Sequence, residues 1–171
     1  MSLQPTPNPA ANQPMSARTL LRMQIAAIVQ QINALGSFGW NVQSPADWNT
    51  QEGNLPAVII NSPSDHRQAW SRGESCFTTT VDIRIEARAH LKDTAAAAQT
   101  AIDAMMYAIE NAVFTDYALV RAIQQFVSTS TQTRVNAEGN GHLGSATFDL
   151  SIELPEVFDP FPTNADGTSA I

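Results

Sequence analysis

The sequence predicts an α+β fold: a mainly antiparallel sheet of about four strands, two helices packed on one face of it, and extended tails at both ends. Three observations lead there. Between Phe77 and Ala89 the odd positions read Phe77, Thr79, Val81, Ile83, Ile85, Ala87 and Ala89, and the even positions Thr78, Thr80, Asp82, Arg84, Glu86 and Arg88. Side chains on a strand alternate between faces, so this run is a strand with one buried and one charged face. Two other segments repeat apolar residues at spacings of three and four, the mark of a helix with one apolar stripe. A second alternating run follows a Gly139-Asn140-Gly141 loop, the pattern of a hairpin.

Taken in order, residues 1–15 form an arm rich in Pro and Asn, with Pro5, Pro7, Pro9 and Pro14, which is expected to be extended. A single domain is expected over 16–155. Leu21, Ile25, Ile28, Ile32 and Leu35 make the stripe of the first helix, with Ser16 as N-cap and Gly36 at the C-terminal glycine position. Residues 37–54 read as loop. Leu55 to Asn61 reads as a short apolar strand closed by Ser62 and Pro63, and the polar run 64–74 as a loop leading into the long strand. At about 3.3 Å per residue that strand spans roughly 40 Å, beyond the usual length. Asp93 is placed to cap a second helix from Thr94 to about Val113, with Ala98, Ile102, Met105, Ile109 and Val113 on one side. Its alanines favour helix and close packing on a sheet. Ile123 to Val135 reads as a strand with Val127, Thr129, Thr131, Thr133 and Val135 on one face. Its return strand sets Ala146, Phe148, Leu150, Ile152 and Leu154 against Ser145, Thr147, Asp149, Ser151 and Glu153, and Pro155 is expected to end it. Residues 156–171, with Pro160 and Pro162, read as a second tail.

With 171 residues the chain suits one domain with a core. No apolar run is long enough to cross a bilayer. The N-terminus lacks the basic region and apolar core of a signal peptide, so the expected setting is the cytoplasm or a particle assembled there. The single cysteine, Cys76, excludes an internal disulfide and a Cys-rich metal site; at a strand start it reads as a small half-buried side chain. The net charge of −7 argues against a domain that grips phosphates. Lys92 is the only lysine, and arginine is preferred where a charge pairs in fixed geometry.

No catalytic, cofactor or metal-binding set emerges. His66, His90 and His142 lack the spacing of a metal site. Ser64-Asp65-His66-Arg67 contains nucleophile and base types, but triad members usually converge from distant positions, and adjacent residues cannot all face one another. Gly139-Asn140-Gly141-His142 lacks the phosphate-loop lysine and its context, and a turn explains it. Asp82, Arg84, Glu86 and Arg88 share one strand face with alternating signs, which makes that face self-compensating. Its length favours a surface facing another subunit over a merely solvated one. Trp40, Trp48 and Trp70 fall in expected loops, where they either cover the core or meet a partner.

The run Leu55-Pro-Ala-Val-Ile-Ile-Asn-Ser62, the alternation from Thr78 to Ala89, the helix text from Ala98 to Ala112 and the closing strand Gly144 to Leu154 together resemble the tail terminator (tail completion) proteins of long-tailed bacteriophages. The resemblance covers residues 55 to 155 and is one of order and texture. The Pro-rich tails and the Trp-containing segment 37–54 have no counterpart in it. It implies a structural virion protein of the tail, assembled in the host cytoplasm, that is not an enzyme and needs no cofactor. Such a protein forms a ring, usually hexameric, that caps the tail tube, ends its polymerisation and joins it to the head. The implied partners are copies of itself, the tail tube protein, head–tail connector or neck proteins and, in a contractile phage, the sheath protein. Subunit-contact candidates on this reading are Asp82, Arg84, Glu86, Arg88, Trp70, Phe158 and Phe161. DNA passes through such a ring without being held, so lining residues are expected to be acidic or neutral. Other readings open at this point are a head-completion or neck ring, a subunit of a contractile injection machine, and a small ligand-binding or enzyme domain.

Overall fold

The computed structural model describes residues 16–44, 55–71, 75–138 and 140–158. The described chain is α+β. Its elements are α1 (Ala17–Gly36), β1 (Asn41–Gln43), β2 (Ala57–Ala69), β3 (Cys76–Leu91), α2 (Ala95–Thr115), α3 (Tyr117–Ala122), β4 (Gln125–Glu138) and β5 (Gly141–Val157). They form one sheet in the order β1-β2-β3-β5-β4. β1 runs parallel to β2 and every other neighbouring pair is antiparallel. The short β1 and α3 add to the expected four strands and two helices, and β1 makes the sheet mixed.

The centre of the sheet is the β3–β5 pair, whose register runs unbroken from Cys76↔Val157 to Leu91↔His142. Apolar alternation fixes it, because a slip of one residue would turn every buried side chain outward. Val81, Ile83, Ile85 and Ala87 of β3 and Ala146, Phe148, Leu150 and Ile152 of β5 are buried on one face. Leu21, Ile25 and Val29 of α1 and Ile102, Met106, Ile109 and Val113 of α2 join the same core. Burying each of the Val, Leu, Ile, Phe and Met side chains among them contributes about 1.5–3 kcal/mol before the entropy of ordering is subtracted. Helix α2 lies close on β5 at Gly144, where an added Cβ would stand 3.1 Å from the Ala98 carbonyl oxygen. Both helices therefore occupy one face, and the face carrying Asp82, Arg84, Glu86 and Arg88 is left without a helix layer.

Several boundaries differ from the expected ones. Ser16 caps α1 as expected, its hydroxyl accepting from the Thr19 N–H. The left-handed residue that ends the helix is Ser37, at φ 51°, and not Gly36. Gly36 is the last helical residue, and its missing side chain makes room for the Phe38 ring, into which a Cβ would run. Leu35 leaves the apolar stripe and is 79% exposed. Thr94, not Asp93, caps α2 by accepting from the Ala97 N–H.

Residues 64–69 are strand, not loop, because Ser62 and Pro63 do not close β2. They form a bulge, two residues opposite Ile83, after which pairing resumes at Ser64↔Asp82. A second bulge at Val127 brings Phe126, rather than Val127, onto the core side, against Phe114. Pro155 does not end β5, which continues to Val157.

Candidate functional site

The long strands set their even-numbered β3 residues on the open face, and the register joins them in rows. Arg88 of β3 lies beside Ser145 of β5 and then Arg134 of β4. The next rows are Glu86, Thr147 and Gln132; Arg84, Asp149 and Ser130; and Asp82, Ser151 and Ser128. The structure thus brings Asp82, Arg84, Glu86 and Arg88 onto one surface, as the alternation requires, and adds Asp149 and Arg134 to it.

The charges of this surface are tied to one another. Arg84 donates twice to Asp149, from Nε at 2.7 Å and from Nη2 at 3.1 Å. That bond and the nearby carboxylate hold the Arg84 guanidinium above its ordinary pKa. Arg88 donates to Glu86 at 2.7 Å. Asp82 accepts from the hydroxyls of Ser64 and Ser151. Arg134 forms no ion pair among the described residues. Exposed pairs of this kind contribute about 0–1 kcal/mol each, so the fold does not depend on them. With Glu153, which lies in the row of Thr80, the face carries acids Asp82, Glu86, Asp149 and Glu153 against Arg84, Arg88 and Arg134. It is close to neutral and has a shallow depression, about 360 Å³, between the three arginines.

The remaining contact candidates separate. Trp70 continues the open face at the end of β2; it is 56% exposed, and its indole N–H donates to Thr78 Oγ1 at 2.8 Å. Phe158 lies at the same end of the sheet but on the helix side, edge-on to Phe77 and beneath the Arg67 guanidinium. Phe161 and Trp48 lie outside the described residues. Trp40 is buried and stacked on Phe38, with its backbone held in both directions by the Asn33 amide, so it covers the core.

Pairing in β2 also dissolves the Ser64–Arg67 constellation. Ser64 and His66 face the open side, while Asp65 and Arg67 face the helices. His90 and His142 fall on opposite faces. Among the described residues no three His, Cys, Asp or Glu side chains gather as a metal site.

One polar cluster escaped the sequence. At the helix-side end of the core, Glu156 accepts from Arg67 Nε at 2.8 Å and from the buried Thr79 hydroxyl at 2.9 Å. Arg67 also meets Asp65, which Arg18 of α1 approaches at 3.4 Å. Burial pushes the Glu156 carboxyl up, but the bonds from Arg67 and Thr79, the Arg67 charge and the Ala17 N–H outweigh it and hold it below its usual range. The cluster pins the N-terminus of α1 to the sheet. Only the bulge at Ser62–Pro63 brings Asp65 and Arg67 to this side, and no motif signals it.

No protein-family model and no curated protein sequence matches the chain. Among the described residues no helix is long and apolar enough to cross a membrane.

Proposed function

We propose that this protein is a structural subunit of a phage virion, a tail terminator whose copies form a ring, hexameric as in the family it resembles. The ring caps the tail tube, stops its growth and presents a docking surface to head–tail connector or neck proteins, and to sheath protein where the tail contracts. The observation that carries the reading is the open sheet face: long, broad, near-neutral, made of charges that add little to folding, and lacking a converging catalytic or metal-binding set among the described residues. Such a face suits contact with another protein surface better than turnover of a small substrate.

The test is to add the purified protein to polymerising tail tubes. Rings at tube ends in negative-stain images, with tube length capped, support the reading. Tubes that grow unchanged, with no ring at their ends, overturn it. A second reading, a ligand-binding domain, draws on the apolar groove of about 690 Å³ lined by Leu20, Leu21, Ile123, Leu154 and Phe158. A small apolar molecule that raises the melting temperature of the wild type, but not of Leu20→Arg, whose side chain is half exposed in the groove, would favour it.

A further inference from the structure

We propose that β4 is a self-association edge, through which two copies of this chain pair antiparallel about a two-fold axis and join their five-stranded sheets into one of ten strands. The two edges of the sheet are built differently. β2, beyond the three residues that β1 covers, is guarded. It carries the Ser62–Pro63 bulge, a proline that cannot donate, and the charged residues Asp65 and Arg67. These are the devices by which edge strands avoid pairing with other chains.

β4 has almost none of them. It is 14 residues long and contains neither Pro nor Lys. Its single bulge sits at one end, at Val127, and pairing with β5 is regular from Ser128 onward. Every residue from 127 to 134 is exposed, on the helix side as well as the open side. Its text there is Val-Ser-Thr-Ser-Thr-Gln-Thr-Arg, rich in β-prone threonine and bearing one charge. Among the described residues nothing pairs with its outer edge. A long, regular, nearly uncharged edge presents a row of free backbone donors and acceptors.

The flank above β4 is built to match. Helix α2 reaches the strand through Gln99, which donates to Thr133, and through Glu110, which accepts from Thr131. Tyr107, on the same helix, is 72% exposed, and tyrosine is a residue type that anchors protein contacts. The bulge-free run 128–138 spans about 37 Å, and strand and helix together are about 20 Å deep. Two such edges would bury on the order of 1,500 Å² in total, the size of a stable specific interface.

A second copy is the occupant because the partner edge must itself be free, regular and long, and β4 of another copy meets that requirement. With β2 guarded, the joining of β4 to β4 is isologous and stops at two copies instead of running on into a fibre. The proposal does not rest on the ring reading; a β4-paired dimer is the form expected where no tail tube is present.

Sedimentation equilibrium of the full chain without tubes tests it. A species of twice the 18.4 kDa chain mass is expected. Ser130→Lys with Thr131→Lys places like charges across the joint, while each new lysine has a carboxylate beside it within its own copy, Asp149 and Glu110. This variant should keep its circular dichroism and melting temperature while dimerising at least about tenfold more weakly. Tyr107→Ala, which removes only an exposed ring, should weaken the dimer in the same direction. A wild type that stays monomeric at high concentration, or a folded double-lysine variant that dimerises as the wild type does, overturns the proposal. Capping of tail tubes is read separately, so loss of one conclusion leaves the other standing.

Discussion

Ile83 and Glu156 show how differently single side chains matter here. Ile83 is buried in the central strand, with the β2 bulge opposite and the helix layer above. Ile83→Asp puts an uncompensated carboxylate there, at a cost of several kcal/mol, a large part of the whole stability of a domain this size. The expected result is an unfolded or aggregated chain; soluble, cooperatively melting protein would mean that the buried face is misassigned. Glu156 acts through its charge. Its folded pKa lies below the ordinary value of 4.5. A depressed carboxyl pKa adds stability above the unfolded pKa and loses it as pH falls through the folded one. Glu156→Gln should therefore cost about 1–3 kcal/mol in urea denaturation at pH 7, and the gap between the two proteins should close below about pH 4. A gap that stays constant between pH 7 and pH 3 would mean that shape, not charge, holds the α1 N-terminus in place.

Elements whose reason is local were legible in the sequence, and those whose reason is distant were not. The β3 and β5 faces, the Ser16 cap and the two apolar helix stripes, the first of them without Leu35, follow from alternation and spacing, and the structure has them. The loop expected to begin at Ser64 is strand as far as Ala69, because Ser62 and Pro63 carry turn chemistry locally, yet the unbroken β3 beside them offers a full row of partners and draws the chain back into the sheet. The face assigned to Val127 failed for the same reason, a bulge that becomes visible only once the register with β5 is known. The open face was half legible: its four β3 charges were read correctly, whereas the Arg84–Asp149 pair and the neighbourhood of Arg134 needed the strand order. The bulge at Ser62–Pro63 also makes a prediction at this scale. Deleting Ser62 and Pro63 together removes one residue more than the bulge inserts, so Ser64 would pair with Ile83, Asp65 and Arg67 would turn to the open side and His66 would turn toward α1. The loss of the Glu156 cluster should lower the melting temperature by several degrees, on the order of 2 kcal/mol or more. An unchanged melting curve would show that β2 beyond the bulge adds nothing to the fold.

For the molecule as a whole, the division of labour between the two sheet faces decides what can be learned from surface substitutions. One face is spent on the core and the helices. The other carries balanced charges whose ties to one another are worth little to folding, so they can be altered without unfolding the subunit. Arg84→Glu with Arg88→Glu reverses two positive charges that now sit beside Asp149 and Glu86. Repulsion on an exposed face should cost no more than about 1–2 kcal/mol, and the melting transition should remain cooperative. Contact with another protein surface is more exacting, since a like charge brought against a complementary partner costs several kcal/mol. If the open face meets a neighbouring subunit, the variant should remain folded while its capping of tail tubes falls at least about tenfold. Salt should distinguish the causes, because screening at high ionic strength relieves simple repulsion between exposed charges far more than the loss of a buried contact. Capping that is unchanged at low and high salt would mean that this face is bathed in solvent, and the surfaces that join the subunits would then have to be sought along the strand edges and the helix layer.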